Sequence, residues 1–250
     1  MIHGVLFDLG GVLYVGDRPL RGAYEALVSL RAAGIPVRFV TNITRLSRHG
    51  IVAKLARMGL EISERDLLTP AVAAREYLLA HQLTPHLLVH PNLQPEFVDL
   101  TGSAPNAVLI GDAGDFFTYA ALNTAFRALA DGAPLLALGK NRYFDEPDGL
   151  SLDVGPFVAA LEYAASINAV VLGKPSADFF LSAVKSLGLP AGDVAMVGDD
   201  ADSDVAGAIA AGLQAILVKS GKYRPGDEAR VLIQGAHCLE DIDQAVDFIL

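Results

Sequence analysis

Near its amino terminus the chain reads Val5-Leu6-Phe7-Asp8-Leu9-Gly10-Gly11, an apolar run that meets an acidic residue and then two glycines. Val5-Leu6-Phe7 shows none of the alternation of a half-exposed strand, so it is typical of a parallel strand buried on both faces. Asp8 stands where this strand is expected to end. The sequence therefore predicts a buried parallel sheet with a carboxylate at the carboxyl end of its first strand.

The next strand-like run, Pro36–Val40, follows a stretch with helical spacing. Ala23, Leu27 and Leu30 fall on one face of the expected helix, and Gly34 marks its end. Strand, helix and strand together indicate one βαβ unit, in which the two strands run parallel.

The same rhythm returns in the last part of the chain. Three strand-like runs and two helical stretches alternate there: Ala169–Leu172, Phe179–Leu187, Val194–Val197, Val205–Ala211 and Ala215–Val218. Alternating strands and helices of this kind indicate an α/β fold with a doubly wound, Rossmann-like parallel sheet.

The middle of the chain contains a second group of elements. The expected strands and helices are Leu87–Val89, Val108–Ile110, Tyr119–Leu129, Leu135–Leu138 and Phe157–Ala164. They suffice for a smaller α/β domain inserted into the larger one. We therefore expect a core domain formed by residues 1–79 and 169–250, and an inserted domain formed by residues 80–168.

Polar residues follow four strands predicted for the larger domain, at Asp8, Thr41-Asn42, Lys174 and Asp199-Asp200. The carboxyl ends of parallel strands meet at one edge of a sheet, where helix N-termini favour anions. Each residue alone has an ordinary explanation, as a turn cap, a helix cap or a solvated surface charge. Together they supply the nucleophile, the charge compensation and the donors that phosphoryl transfer requires.

The carboxylates also indicate a divalent cation. Mg²⁺ prefers oxygen ligands and keeps several waters, so Asp8, Asp199 and the backbone carbonyl of Gly10 can bind it together with water and a phosphate. Asp200 and Asp204 would orient ligands or waters around the metal. The sequence thus predicts a Mg²⁺ site beside Asp8, with a small phosphorylated compound as the substrate.

Four segments resemble the motifs of the haloacid dehalogenase-like hydrolases, in the order in which that superfamily carries them: Asp8–Leu13, Val40–Asn42, Gly173–Pro175 and Gly198–Asp204. The resemblance spans essentially the whole chain, and the insertion is similar to the superfamily's type IIA cap. It implies that Asp8 is the nucleophile and forms an aspartyl-phosphate, and that Asp8, Gly10 and Asp199 bind Mg²⁺. It also implies a set of phosphate-binding residues, namely Asp8, Leu9, Gly10, Thr41, Asn42 and Lys174.

Four segments of the inserted domain resemble the family of phospholysine phosphohistidine inorganic pyrophosphate phosphatase and its hydrolase-domain relatives within this superfamily: Ala113–Tyr119, Leu138–Tyr143, Leu152–Phe157 and Ala160–Tyr163. This resemblance implies small, labile phosphate compounds as substrates, such as pyrophosphate or the phosphoramidates phosphohistidine and phospholysine. It also implies a homodimer formed through the inserted domain.

The chain departs from the superfamily pattern at Gly10, where most of the phosphatases carry a second aspartate that serves as general acid and base. General acid catalysis contributes about 10²–10⁴ in rate, so its loss matters most for basic leaving groups such as alkoxides. Pyrophosphate expels phosphate, and phosphoramidates can expel an amine or imidazole that already carries its proton. Gly10 therefore agrees with labile substrates and predicts a steep dependence of rate on leaving-group basicity.

Gly10 also leaves two alternatives open. One is a catalytically weak or inactive descendant that binds a phosphorylated ligand or a protein partner. The other is dehalogenation or carbon–phosphorus cleavage, because related enzymes with those activities also replace the second aspartate. The acidic cluster disfavours dehalogenation, which does not call for Mg²⁺. Lys140 is the obvious lysine for carbon–phosphorus cleavage, but surface exposure is its favoured role.

Composition disfavours several classes of partner. A net charge of -10 and a pI near 4.9 disfavour nucleic acid and anionic membranes. The chain shows neither an apolar run of membrane-spanning length nor a signal peptide, and its single cysteine, Cys238, forms no intrachain disulfide. We therefore expect a cytoplasmic protein. His86 and His90 flank a strand-like run, but their spacing does not favour a transition-metal site.

Overall fold

A computed structural model describes residues 1–146 and 149–250, and the chain divides into two compact units. The larger unit comprises Met1–Thr41, Gly50–Leu68 and Lys174–Leu250, and the smaller unit comprises Asn42–His49 and Thr69–Gly173. Within the described residues, every helix is too short or too polar to cross a membrane.

The strands of the described residues, in chain order, are β1 (Gly4–Asp8), β2 (Tyr14–Val15), β3 (Arg18–Pro19), β4 (Val37–Val40), β5 (Leu67–Leu68), β6 (Pro85–Leu88), β7 (Ala107–Ile110), β8 (Leu135–Ala137), β9 (Tyr143–Glu146), β10 (Gly149–Leu152), β11 (Val170–Val171), β12 (Val194–Gly198), β13 (Gln214–Val218) and β14 (His237–Leu239).

The α-helices are α1 (Ala23–Ala32), α2 (Arg48–Arg57), α3 (Pro70–Ala80), α4 (Tyr119–Ala130), α5 (Val154–Ala165), α6 (Ala177–Leu187), α7 (Gly207–Ala210), α8 (Asp227–Ile233) and α9 (Ile242–Ile249). Short 3₁₀ helices lie at Glu64–Asp66, Pro91–Phe97, Gly114–Phe116 and Ala191–Asp193, and a π-helix spans Ala201–Ala206.

The larger unit is built on a six-stranded parallel sheet with the strand order β14-β13-β12-β1-β4-β5. The chain moves from β1 towards one edge through β4 and β5, whereas β12, β13 and β14 lie on the other side of β1. The strand order therefore reverses between β1 and β12. In open α/β sheets, ligands bind beside the carboxyl ends of the strands at such a reversal. The predicted doubly wound fold is confirmed.

The helices of the larger unit cover the sheet with apolar stripes. On α6, Phe179, Phe180, Ala183 and Val184 are buried, a spacing that places all four on one helical face. α6 packs against α7, and α1 packs against α9. α6 ends at Gly188, which adopts the left-handed conformation that glycine accepts most readily.

The smaller unit contains a four-stranded parallel sheet with the order β11-β8-β7-β6. Ala107 and Leu109 of β7 pack into an apolar cluster with α3, whereas Val108 and Ile110 pack into a second cluster with α4 and α5. Both faces of β7 are thus buried, which explains why its sequence is apolar without alternation.

One strand predicted for the larger domain lies elsewhere. Val170–Val171, within the predicted run Ala169–Leu172, pairs with β8 and so belongs to the sheet of the smaller unit. α3 also packs in the smaller unit, through Ala71, Ala74 and Leu78. The smaller unit thus comprises residues 42–49 and 69–173, whereas the sequence predicted an inserted domain of residues 80–168. An apolar run indicates a buried strand but does not indicate which of two sheets it joins.

Candidate active site

The strand register of the larger unit brings the predicted residues to one edge of the sheet. Asp8, the last residue of β1, pairs with Val40 of β4, so Thr41 follows directly beside it. On the other side of β1, Phe7 pairs with Val197 of β12. Asp8 and Asp199 therefore lie at the carboxyl ends of two adjacent strands, β1 and β12, on either side of the point where the strand order reverses.

Lys174 links two carboxylates in the interior of this edge. Its Nζ donates to Oδ1 of Asp8 at 2.5 Å and to Oδ1 of Asp204 at 2.6 Å, and only 3% of its side chain is exposed. Burial alone would lower the pKa of Lys174, but the charges of Asp204 and Asp8 outweigh it and raise that pKa. Lys174 is therefore a fixed cation within hydrogen-bond distance of the proposed nucleophile.

Asp199 is held by the loop that follows β13. Its Oδ2 accepts a hydrogen bond from the backbone N–H of Lys222 at 2.7 Å. Gly11 and Gly221 leave room for this carboxylate, because a Cβ added to either would lie within 2.0 Å of the same Oδ2. Both glycines also have positive φ, of 84° and 52°. Ser220 Oγ donates to the carbonyl of Gly11 at 2.5 Å and joins the two loops.

Asp204 is placed by a π-helix, an uncommon turn that often occurs at functional sites. Asp200 caps this turn, since its Oδ1 accepts from the backbone N–H groups of Asp202 and Ser203, both at 3.0 Å. The N–H of Asp200 in turn donates to Oδ2 of Asp204 at 3.1 Å. The sequence predicted a helix from Val205 onward. The regular helix begins only at Gly207, after the π-turn that presents Asp204.

The buried carboxylates outnumber the buried cation. Asp8, Asp199 and Asp204 each offer an oxygen within 4.8 Å of the others, and all three are buried. Burial raises the pKa of Asp199 to about 8, and the charges of Asp8 and Asp204 add to the rise. Burial raises the pKa of Asp204 to about 6, although Lys174 opposes this. These residues fit a divalent cation, because hard oxygen ligands with excess negative charge are the donor set of Mg²⁺.

The remaining predicted residues differ in their surroundings. Leu9 and Thr41 are buried, and the backbone N–H of Thr41 donates to the carbonyl of Leu68 at 3.3 Å. Gly10 faces open space, since no atom lies within 4 Å of an added Cβ. Asn42 belongs to the smaller unit, where its Oδ1 lies close to Gly173.

The loop of Ser220, Gly221 and Lys222 directly contacts the carboxylate site, although the sequence motifs do not include it. The sequence does contain an indication of this loop, because its residues follow the strand β13 and so lie at the same edge of the sheet as Asp8. The criterion that selected the other residues, a polar residue at a strand end, applies equally to this loop. Its contact with Gly11, however, depends on two glycines whose close approach no sequence spacing indicates.

Two other candidates from the sequence have structural roles. Lys140 Nζ lies 2.7 Å from Oε2 of Glu162 in an ion pair of the smaller unit, and this engagement weakens its case as a catalytic lysine. His90 Nδ1 accepts from the backbone N–H of Asn92 at 3.2 Å and caps the 3₁₀ helix Pro91–Phe97.

Comparison with known proteins agrees with the motifs. Two family models match the chain, Haloacid dehalogenase-like hydrolase over residues 5–100 and HAD-hydrolase-like over residues 171–245. The matched ranges contain Asp8 and Thr41 in the first case, and Lys174, Asp199 and Asp204 in the second.

Relatives and solved structures align over most of their length. The chain is 45% identical over 249 residues to haloacid dehalogenase-like hydrolase domain-containing protein 2 of Bos taurus, covering 100% of this chain and 96% of that protein. It is 42% identical over 255 residues to phospholysine phosphohistidine inorganic pyrophosphate phosphatase of Homo sapiens, with coverage of 100% and 94%. The structure of glycerol phosphate phosphatase from Mycobacterium tuberculosis in complex with magnesium matches with a TM-score of 0.84 at 27% identity, covering 97% of this chain and 76% of that one. Sequence, fold and relatives agree that this chain belongs to the haloacid dehalogenase-like hydrolases.

Proposed function

We propose that this chain is a Mg²⁺-dependent phosphatase that acts through an aspartyl-phosphate on Asp8 and hydrolyses small, labile phosphate compounds. The observation that carries the proposal is the buried lysine bridge: Lys174 holds the carboxylates of Asp8 and Asp204 in place beside Asp199. A fixed cation next to a nucleophile at the anion-binding edge of a parallel sheet is the arrangement that phosphoryl transfer requires.

In the first step, a carboxylate oxygen of Asp8 attacks phosphorus. The new O–P bond forms while the bond from phosphorus to the leaving group breaks, and the leaving group keeps the electron pair. Lys174 already donates to Oδ1 of Asp8, so its charge offsets the repulsion between that carboxylate and an anionic phosphate. Thr41, beside Asp8 in the sheet, is the proposed hydroxyl donor to the transferred group, and Asn42 its proposed amide donor.

In the second step, water attacks the phosphorus of the aspartyl-phosphate. The O–P bond to Asp8 breaks, inorganic phosphate leaves, and the carboxylate of Asp8 is regenerated. Lys174 remains between Asp8 and Asp204 throughout, because it is buried and donates to both carboxylates.

Asp8, Asp199 and the carbonyl of Gly10 are the residues that would hold Mg²⁺, and the geometry adds Asp204 as a further carboxylate at this position. When bound, Mg²⁺ supplies charge stabilisation for the phosphoryl oxygens. The excess buried negative charge supports the metal, as does the magnesium complex of the structurally similar glycerol phosphate phosphatase.

The open space at Gly10 supports a preference for good leaving groups. No side chain at this position can protonate a departing alkoxide. Pyrophosphate expels phosphate, and phosphohistidine and phospholysine can expel a nitrogen group that already carries its proton, so none of the three needs a proton from the enzyme. A relative that is 42% identical over the full chain is named for these three compounds. We therefore place pyrophosphate and phosphoramidates first among the substrates.

A phosphate-release assay with purified protein tests the proposal. We expect release from pyrophosphate and phosphoramidates when Mg²⁺ is present, and loss of release when the metal is chelated. A simple alkyl phosphate should react at least about 10²-fold more slowly, the lower end of what general acid catalysis contributes.

The matched control is Asp8→Asn, which keeps the size of the side chain and removes the nucleophilic carboxylate. Its activity should fall to background. No release from any phosphoester, anhydride or phosphoramidate would contradict the proposal and favour a protein that only binds phosphorylated ligands. Equal rates on pyrophosphate and on the alkyl phosphate would contradict the leaving-group argument alone.

A further inference from the structure

The loop after β13 carries a cation at the rim of the carboxylate site. The main chain of Lys222 is fixed, because its N–H donates to Asp199 and the preceding Gly221 packs against Gly11. Its ammonium group is not buried: Nζ lies 3.6 Å from Oδ2 of Asp200, and 56% of the side chain is exposed. Lys222 therefore combines an anchored backbone with a head group that can turn towards a ligand.

The charges of the site give this lysine a specific role. Asp8, Asp199, Asp200 and Asp204 contribute four carboxylates. Asp200 lies beside the other three: its Oδ1 accepts from the backbone N–H groups of Asp202 and Ser203, and its Oδ2 lies 3.6 Å from Nζ of Lys222. Lys174 and a bound divalent cation supply three positive charges, which leaves one negative charge uncompensated. The ammonium of Lys222 cancels that charge.

We propose that Lys222 is an anion-binding residue at the rim of the site, which offsets Asp200 and selects substrates whose leaving group is itself anionic, such as pyrophosphate. The inference rests on the proposed function, since it concerns the substrate of that same site. Without Lys222, a site with bound cation would keep a net negative charge and repel a phosphate. The repulsion would be strongest for the substrate that carries the most negative charge.

Lys222→Met is the informative variant, because it removes the charge and keeps an apolar stem of similar length. We expect kcat/KM for pyrophosphate to fall about tenfold, mainly through a higher KM, because the substrate loses one partly screened charge–charge interaction. For phosphoramidate, whose leaving group is neutral, the fall should be no more than about threefold on the same reasoning. Lys222→Arg keeps the charge and should restore most of the activity on pyrophosphate.

Mg²⁺ binding gives a second readout, which should change in the opposite direction to phosphate binding. Removing a cation near the carboxylates should tighten Mg²⁺ binding a few-fold in calorimetric titrations without substrate, while binding of inorganic phosphate to the Mg²⁺-loaded protein weakens. A purely structural defect in the loop would loosen Asp199 and weaken both. The opposite signs therefore separate a charge effect from a misplaced carboxylate.

Lys185→Met is the matched control. Lys185 is an exposed lysine in the last turn of α6, and it is not among the residues that contact the carboxylate site. The change in net charge is the same as in Lys222→Met, and we expect no effect on the binding of Mg²⁺ or phosphate.

The inference would be overturned if Lys222→Met lowered the turnover of pyrophosphate and phosphoramidate equally, or if it weakened Mg²⁺ binding. A wild-type protein that releases no phosphate would instead contradict the proposed function, and the Mg²⁺ and phosphate titrations would still test Lys222.

Discussion

Two lysines of this chain each stand three residues after a strand of the four-stranded sheet, Lys140 after β8 and Lys174 after β11. Lys140 pairs with one carboxylate, Glu162, and 42% of its side chain is exposed. Lys174 belongs to the larger unit, is almost fully buried, and donates to both Asp8 and Asp204. The two lysines thus share a position relative to their strands but differ in their electrostatic surroundings.

The difference teaches that a polar residue after a strand is not by itself a functional signal. Lys140 and Glu162 form a one-to-one ion pair that is partly exposed, and Glu162 also accepts from the backbone N–H of Ala169 at 2.9 Å. Lys174 is surrounded by more carboxylates than it can neutralise, and they are buried. Burying uncompensated charge is costly, so its presence indicates a ligand that completes the balance.

The largest effect should come from Lys174→Met. Removing the donor to Asp8 should lower kcat/KM about 10³-fold, the upper end of the loss measured for single electrostatic donors in active sites. The variant should also lose about 3–5 kcal/mol of unfolding free energy, because two buried carboxylates lose their partner. Phosphate release and chemical denaturation of the metal-free protein measure the two losses.

Lys140→Met is the matched comparison. A partly exposed ion pair contributes about 0–1 kcal/mol, and Glu162 keeps its hydrogen bond from Ala169. We expect wild-type turnover and a stability change within that range. Similar losses of turnover and stability in both variants would show that the different surroundings of the two lysines have no consequence for function.

The adjacent residues Gly10 and Gly11 provide a second comparison, within the larger unit. An added Cβ at Gly11 would lie 1.8 Å from Asp199 Oδ2, and its φ of 84° disfavours any side chain. At Gly10 an added Cβ meets nothing within 4 Å, and the φ is not left-handed. Gly10→Asp should therefore fold normally and raise the rate on alkyl phosphates, by about 10²-fold if the new carboxyl acts as general acid.

Gly11→Ala is the control for this prediction, since it adds only a methyl group one residue away. It should weaken Mg²⁺ binding, because Asp199 must move to accommodate the new atom. Turnover of alkyl phosphates by both variants, with calorimetric titration of Mg²⁺, distinguishes the two positions. A Gly10→Asp protein that fails to fold would contradict the open space at that residue.

Much of the site was predictable from the sequence because parallel strands bring their carboxyl ends together. That rule predicts Asp8 and Asp199 at one edge of the sheet, and the strand register places both there. It could not distinguish the two sheets, because the apolar run Ala169–Leu172 reads the same in either. The direct pairing of Asp204 with Lys174 was also beyond it, because that contact depends on a π-turn stabilised by Asp200.

The smallest effect that we predict concerns pH and metal. In the folded, metal-free protein the pKa of Asp199 is raised to about 8 and that of Asp204 to about 6, both above the unfolded value of about 3.9. Folding therefore favours their protonated forms. The stability they contribute is complete below the unfolded pKa and is lost as pH rises through the folded values.

Thermal unfolding should show this loss of stability between about pH 5.5 and pH 8.5. Carboxylates with lowered pKa values stay ionised in both the folded and the unfolded state over this range, so they do not contribute to the change. With metal chelated, Tm should fall as pH rises, by about 2–4 °C for each kcal/mol lost in a protein of this size.

Added Mg²⁺ should raise Tm by more at the higher pH than at the lower pH, because it binds the ionised carboxylates. Asp199→Asn removes one of the two titrating groups, so its metal-free Tm should depend less on pH and exceed that of the wild type at the alkaline end. An Mg²⁺-induced rise in Tm that is equal at both ends of the window would mean that Asp199 and Asp204 do not hold the uncompensated charge that distinguishes Lys174 from Lys140.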